Sequence, residues 1–454
     1  MFRMAYPGSV DGEAPNEKKH YSRAMRVFFL LLLTLSACDP ANQFAALDTV
    51  KLVALLGLTN DPLGAAPNLR DAATLAVEQI NASGGVFDGR QLELIVRDTE
   101  SDAELAANLA RTAIEDDDAA IILGPMTSGE SLRARDIIDG AEIPFISPSA
   151  TSASLSRAGE DWFFRTTPSD ILQAQALAYV AAEGTTVANE SIAPCPEAVA
   201  LYRDDAYGNG LGQQFADEFR ARGGTVVGEL AFSTDLSGGV ASVLAPLQTQ
   251  FVGNHTIGAR VCVVVVAFSE NGLELLPALE AMLNAADATS YQFYGTDGLK
   301  EVKFARVLNN FAGSIFMTAP THADNLAYEK FKNALHARFG DDEPANFSFN
   351  MFDAAMLGGL AITKAGSTDP FDIRDALFAV SRGGQRMEGR FFGEVAEAIL
   401  SGNDIDYVGP SGELDFDEAG DVQGDYGLAR PVRVDSQTFD IEVVGRLPLA
   451  DFVR

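Results

Sequence analysis

The segment Gly124-Pro125-Met126-Thr127-Ser128 follows an apolar run, Ala119 to Leu123, and leads into a helical pattern with Glu130 three residues after Thr127. At that spacing Thr127 and Glu130 form a capping box, which leaves free N–H groups and the positive dipole end of the helix pointing out of the loop. Such an end receives a carboxylate, with the Ser128 hydroxyl as a further donor. The same residues also suit an ordinary helix cap facing water. Other chemistry is scarce. The histidines His20, His255, His322 and His336 are scattered, and neither zinc-ligand spacing nor a hydrolase elbow occurs, so no metal, no cofactor and no catalytic residue is expected. Gly208, Gly210 and Gly212 stand between a strand and a helix, but Gln213 occupies the third glycine position of a dinucleotide fingerprint and Arg203 to Tyr207 intervene. A nicotinamide enzyme is therefore disfavoured.

The elements that must position these residues alternate along the chain. Val50 to Leu58 reads as a buried strand, and Leu69, Ala73, Ala76 and Ile80 then share one helical face ended by Gly84 and Gly85. Leu92 to Arg97 is the next strand. The helix after it opens with Ser101, Asp102, Ala103 and Glu104, which reads as a second capping box. Strands at Ala119 to Leu123 and Pro144 to Ser147 and the helix Ser131 to Asp139 continue the series, so βαβ units and a parallel sheet are expected. A second series follows Phe164 to Pro168, with strands at Ala198 to Tyr202, Thr225 to Ala231 and Val261 to Phe268 between helices. Two α/β halves lie in tandem. The β-rich end from Gly412 to Val444 is too short for a third domain and should add strands to existing sheets.

With 454 residues, 47% hydrophobic and 21% charged, the chain has the composition of a folded globular protein. Against 33 Lys and Arg stand 64 Asp and Glu, a formal net charge of -31, which lacks the clustered cations of a nucleic-acid footprint. The apolar run Val27 to Leu35 is too short to span a bilayer. Lys18, Lys19, Arg23 and Arg26 before it and small residues after it make a secretory signal, so residues 1–37 should lie outside the fold, with Met1, Met4 or Met25 as the start. Leu35-Ser36-Ala37-Cys38 resembles the lipobox of bacterial lipoproteins, with Cys38 lipidated and residues 38–48 a tether. The remaining cysteines, Cys195 and Cys262, sit at or just before apolar runs. In an oxidising compartment they are expected to pair.

In order and spacing, several short segments resemble the type I periplasmic binding proteins, specifically the branched-chain amino acid and amide receptors of ABC importers. They include Ile80 to Val86, Val96 to Asp102, Gly124 to Ser128, Ile146 to Thr151, Phe164 to Thr166, Arg203 to Gly208, Tyr294 to Gly298 and Tyr407 to Gly412. The resemblance implies two Rossmann-like lobes joined by three hinge crossovers, placed near Thr167, Thr318 and Gly412. Lobe one would then be 49–167 plus 318–412, and lobe two 168–317 plus 413–447. It further implies that Ser128 and the backbone at Ser149 hold a ligand carboxylate, that Thr151 and Asp297 meet an ammonium, and that Tyr207 is an aromatic wall. Ala65 stands where branched-chain receptors place an aromatic residue, which implies a larger or differently shaped ligand. By the same resemblance the protein is a monomeric lipoprotein on the periplasmic face of a bacterial membrane. It captures an amino acid, amide or carboxylate for ABC permease subunits and catalyses nothing. A sensory lipoprotein of the same fold is the rival reading.

Overall fold

Val50–Leu56, buried along nearly its whole length, is the kind of continuous apolar strand that only a sheet covered on both faces can accommodate. It pairs in parallel with Leu92–Asp98 on one side and Ala119–Leu123 on the other. Phe145–Ser147 and Phe163–Arg165 continue the sheet in parallel. The computed structural model describes residues 48–454, apart from 158, 160–161, 188–189, 287–289, 302–303, 305–314, 341–342 and 434–438. The signal, the lipobox and Cys38 lie outside these residues. Leu47–Arg454 form one compact unit.

Among the described residues the strands make one five-stranded sheet, one seven-stranded sheet and three two-stranded ribbons. In the larger sheet Glu197–Arg203 is flanked by Thr225–Phe232 and Val261–Val266, and Tyr291–Gly295 and Ile315–Pro320 follow, all in parallel. This is the winding order of the first sheet repeated. Tyr426–Arg433 and Phe439–Leu447 then extend its edge in antiparallel fashion, so the β-rich end does add strands to an existing sheet. With this winding order, loops at the carboxyl ends of the strands diverge on either side of the first strand and leave a crevice.

Strand alternation distributes the core over both faces of each sheet. In the first, Leu52, Ala54, Ile121 and Phe164 pack with helices Ala66–Ala82, Leu326–Phe339, Ser348–Ala365 and Pro370–Ser381. Val53, Leu55, Ile122 and Phe163 face helices Ala103–Glu115 and Ser128–Gly140. In the second, Ala200, Cys262 and Val264 meet helices Asp170–Glu183 and Gly208–Ala221, while Leu201 and Val263 meet Val240–Asn254 and Ser269–Ala285. Cys195 and Cys262 are joined by a disulfide with a Cα–Cα distance of 5.6 Å.

Core membership also locates where the chain passes between the sheets. Phe164 belongs to the first core and Ala174 to the second, so the first passage brackets Thr167. Thr318 is still within a strand of the second sheet, and the second passage comes only after Pro320. The third departs furthest from expectation. Leu414, Phe416 and Val422 pack in the first core while Tyr426 and Leu428 pack in the second, so the crossing falls between Val422 and Tyr426, well beyond Gly412. The helix after Leu92–Asp98 also starts differently. Its N-cap is Asp102, whose carboxylate accepts from Leu105 N at 2.8 Å, and Ser101 takes no part in a capping box.

Candidate functional site

Loops from the carboxyl ends of both sheets face each other across a cavity of about 880 Å³, a size typical of small-molecule sites. Asn60, Glu100 and Ser128 line it from the first sheet; Arg203, Tyr207 and Phe268 line it from the second. Ser128 is the first residue of its helix. Thr127 caps that helix as expected, accepting from Glu130 N while Glu130 accepts from Thr127 N at 3.0 Å. Burial pushes the Glu130 carboxyl up, against the hydrogen bonds from Thr127 and Thr99. The Ser128 hydroxyl accepts from Ser152 N at 3.1 Å, which leaves its own hydrogen to donate.

Ser149 and Thr151 follow the short strand Phe145–Ser147 and are buried, as is Asp297, and none of these three is among the residues lining the cavity. Ser149 Oγ donates to Met126 O at 2.8 Å, which fixes this loop against the one carrying Ser128. Arg165 buttresses it from below, donating to the carbonyls of Ala150 and Ser152 and pairing with Asp421 at 2.7 Å. Across the cleft, the Tyr207 hydroxyl donates to Asp297 Oδ1 at 2.9 Å and lies 2.6 Å from Thr296 Oγ1. Its ring stacks on Phe268, 5.4 Å between centroids. The structure thus puts Ser128 and Tyr207 on opposite walls of the cavity, with Asp297 bonded behind Tyr207 and with Ser149 and Thr151 buried in the loop behind Ser128. Ala65, fully buried behind the loop Asn60–Gly64, presents no aromatic surface.

One buried residue behind these loops was missed by sequence reasoning. Asp170, first in its helix behind the Ser169 cap, donates its backbone N–H to Thr151 O at 2.8 Å. Its carboxylate is fully buried, and neither oxygen has a hydrogen-bond partner among the described residues. Burial, and next the charge of Asp297, push the Asp170 carboxyl well above the ordinary carboxylate range, against the nearby Thr151 hydroxyl, which falls short of full hydrogen-bond geometry, and the Arg165 charge. Burial also raises Asp297, against the hydrogen bond it accepts from Tyr207, and burial together with Asp297 raises the Tyr207 phenol. In sequence, Pro168-Ser169-Asp170 reads as a routine helix start, and only tertiary burial distinguishes it. Unpaired buried carboxylates are costly, and a ligand ammonium between Asp170 and Asp297 would relieve both.

Strands next to the passages between the sheets are bonded to the helix that carries Asp170 and to its cap. Gln173 Nε2 donates to Thr318 O at 2.9 Å, and the Tyr426 hydroxyl donates to Ser169 O at 3.1 Å. Ser152 Oγ donates to Ala206 O at 2.7 Å directly across the cleft. Two of the glycines that suggested a nucleotide loop, Gly208 and Gly212, have a packing role. A Cβ on Gly212 would lie 2.1 Å from the Tyr202 ring, and one on Gly208 would lie 2.2 Å from Arg203 O. Among the described residues no cluster of His, Cys, Asp and Glu is suited to a metal ion, and no helix is long and apolar enough to cross a membrane.

Two lobes of one winding order, three passages between them and a polar cleft at the strand ends define a solute-binding protein. The chain belongs to the periplasmic binding protein family, which its residues 49–398 match, and it has the type I fold of that family. It is 26% identical over 359 residues to the chemotactic signal transduction system substrate-binding protein BasB of Halobacterium salinarum, covering 77% of this chain and 78% of that one. It is 25% identical to the leucine-, isoleucine-, valine-, threonine- and alanine-binding protein of Pseudomonas aeruginosa, over 89% of this chain and 95% of that one. The fold is similar to that of the leucine-binding protein LivK of Thermotoga maritima, with a TM-score of 0.66 at 18% identity, covering 89% of this chain and all of that one. Members of the family bind solutes outside the cytoplasm.

Proposed function

We propose that this protein captures an amino-acid-like zwitterion between its lobes and hands it to an ABC permease. The observation that carries this reading is the buried, unpartnered Asp170 carboxylate beside Asp297, opposite a capped helix N-terminus bearing Ser128. The ligand ammonium sits against Asp170, Asp297 and the Thr151 hydroxyl. Its carboxylate takes the Ser128 hydroxyl and the backbone N–H of Ser149, whose bond to Ser147 Oγ is long at 3.5 Å, and Tyr207 closes one side. No bond is made or broken. One lobe is built on the first sheet with the helices between 326 and 400, and the other on the second sheet. Ligand bound to one lobe gains contacts from the other on closure, which biases an open-to-closed equilibrium that a permease reads.

The chain is exported, cleaved before Cys38 and held at the membrane surface by lipid on that cysteine, with residues 39–48 as a tether. It acts as a monomer on the periplasmic face. A thermal-shift screen over amino acids, amides, dicarboxylates and aromatic acids tests the reading. A single strong amino-acid stabiliser supports it, and stabilisation only by compounds without an ammonium group contradicts it. The likeness to a protein named for chemotactic signalling favours a second reading, ligand sensing without transport. Uptake of the identified ligand by cells with and without this gene separates the two.

A further inference from the structure

A second cavity, of about 670 Å³, lies on the other side of the loop carrying Gly64, which lines both cavities. Lys300 enters it from the second lobe, one turn after Asp297, to whose carbonyl its N–H donates at 3.0 Å. The Lys300 ammonium has three donors and, among the described residues, makes one long hydrogen bond, 3.4 Å to Asn346 Oδ1 of the first lobe. Asn346 Nδ2 is buried with no partner among the described residues. His322, stacked 3.5 Å from Tyr328, and Phe349 at their edge form an aromatic wall beside these donors. The cavity also carries Glu301, Glu343 and Asp440. Glu343 is engaged by Lys332 at 2.5 Å, and Asp440 accepts from Ile441 N at 2.7 Å. An under-bonded ammonium and an orphaned amide donor turned to one space call for an acceptor, and a charged acceptor makes the stronger bond.

We propose that this cavity receives the distal part of the ligand and that Lys300 and Asn346 bind a carboxylate there, so the preferred ligand is an amino acid with an acidic side chain. The proposal rests on the zwitterion reading above and adds the second anionic group. Burial pushes the Lys300 ammonium down to about 8, against the pull of Asp297, and a bound carboxylate would restore its charge.

Calorimetry of the full chain with L-glutamate, L-glutamine, L-leucine and glutarate tests it. Glutamate should bind at least about tenfold tighter than glutamine or leucine. Lys300→Gln should abolish that preference while leaving glutamine affinity within about threefold, and Asn346→Asp, which supplies Lys300 with an internal carboxylate, should do the same. Melting curves report whether each variant is folded. Glutamine or leucine binding as tightly as glutamate, or a glutamate preference that survives both substitutions, overturns the proposal and leaves the zwitterion reading standing. Glutarate binding as tightly as glutamate, in a Lys300-dependent way, keeps the carboxylate compartment and overturns the zwitterion reading. Absence of binding by all four overturns the proposal.

Discussion

Asp297 accepts a hydrogen bond from Tyr207 at 2.9 Å and, after burial itself, is the main group that raises the carboxyl of Asp170, against the Thr151 hydroxyl and the Arg165 charge. The relationship is unfavourable in the empty protein and becomes favourable only with a cation between the two. Folded stability and ligand affinity therefore oppose each other at these residues.

Asp170→Asn removes a buried ionisable carboxyl without changing shape. The empty variant should melt at a higher temperature than the parent at neutral pH, while affinity for the ligand falls about 10- to 100-fold, the worth of a charge-assisted hydrogen bond. Asp297→Ala should likewise weaken binding and leave the fold intact. Unchanged affinity by calorimetry in both variants would remove them from the site.

The same pair gives ligand binding a pH dependence of definite sign. Both carboxyls are raised above their unfolded values. Their contribution to stability is therefore complete below the unfolded value near 4 and lost as pH rises through the raised ones. An ammonium ligand needs them ionised. Affinity should accordingly increase as pH rises through that window, with proton release that titrations in buffers of different ionisation enthalpy can count. Proton uptake would contradict the assignment.

Asp353 makes a second, independent titration. It is buried in the helix Ser348–Ala365, accepts from the Tyr407 hydroxyl at 2.8 Å and from Ser411 N at 2.8 Å, and is pushed up to about 7 by burial against those hydrogen bonds. Stability from this group is present below about 4 and lost between about 4 and 7, a change of a few kcal/mol. The melting temperature of Asp353→Asn should lack that component of the parent's decline. A decline of equal size in both proteins would contradict it.

The Cys195–Cys262 bridge closes a loop of sequence separation 67. Chain entropy then assigns it about 4 kcal/mol. Replacing both cysteines by alanine should lower stability in denaturant by about that amount and leave ligand affinity unchanged, since the bridge lies within the core of the second lobe. A matching loss of affinity would show that the bridge also shapes the cleft.

Much of this fold can be read along the chain because the central strands Val50–Leu56, Ala119–Leu123, Glu197–Arg203 and Val261–Val266 are buried on both faces. The alternation from Val50 to Phe268 needs no tertiary knowledge, and the Thr127–Glu130 cap is local by nature. What local pattern leaves out is which core a segment joins. Leu414 and Phe416 look like part of the tail that extends the second sheet, yet they pack in the first core, and this displaces the third passage. Asp170 escaped notice because an acidic residue after a serine cap is ordinary until it is buried without a partner. Lys300 reads as a solvated residue after a turn, and its enclosure depends on Asn346, which comes from the opposite lobe.

Small-angle scattering of the mature chain, with and without its strongest stabilising amino acid, tests the central claim of capture by closure most directly. The account predicts a smaller radius of gyration with ligand, and loss of that change at the same ligand concentration in Asp297→Ala. Identical profiles at a ligand concentration that saturates calorimetric binding would contradict it.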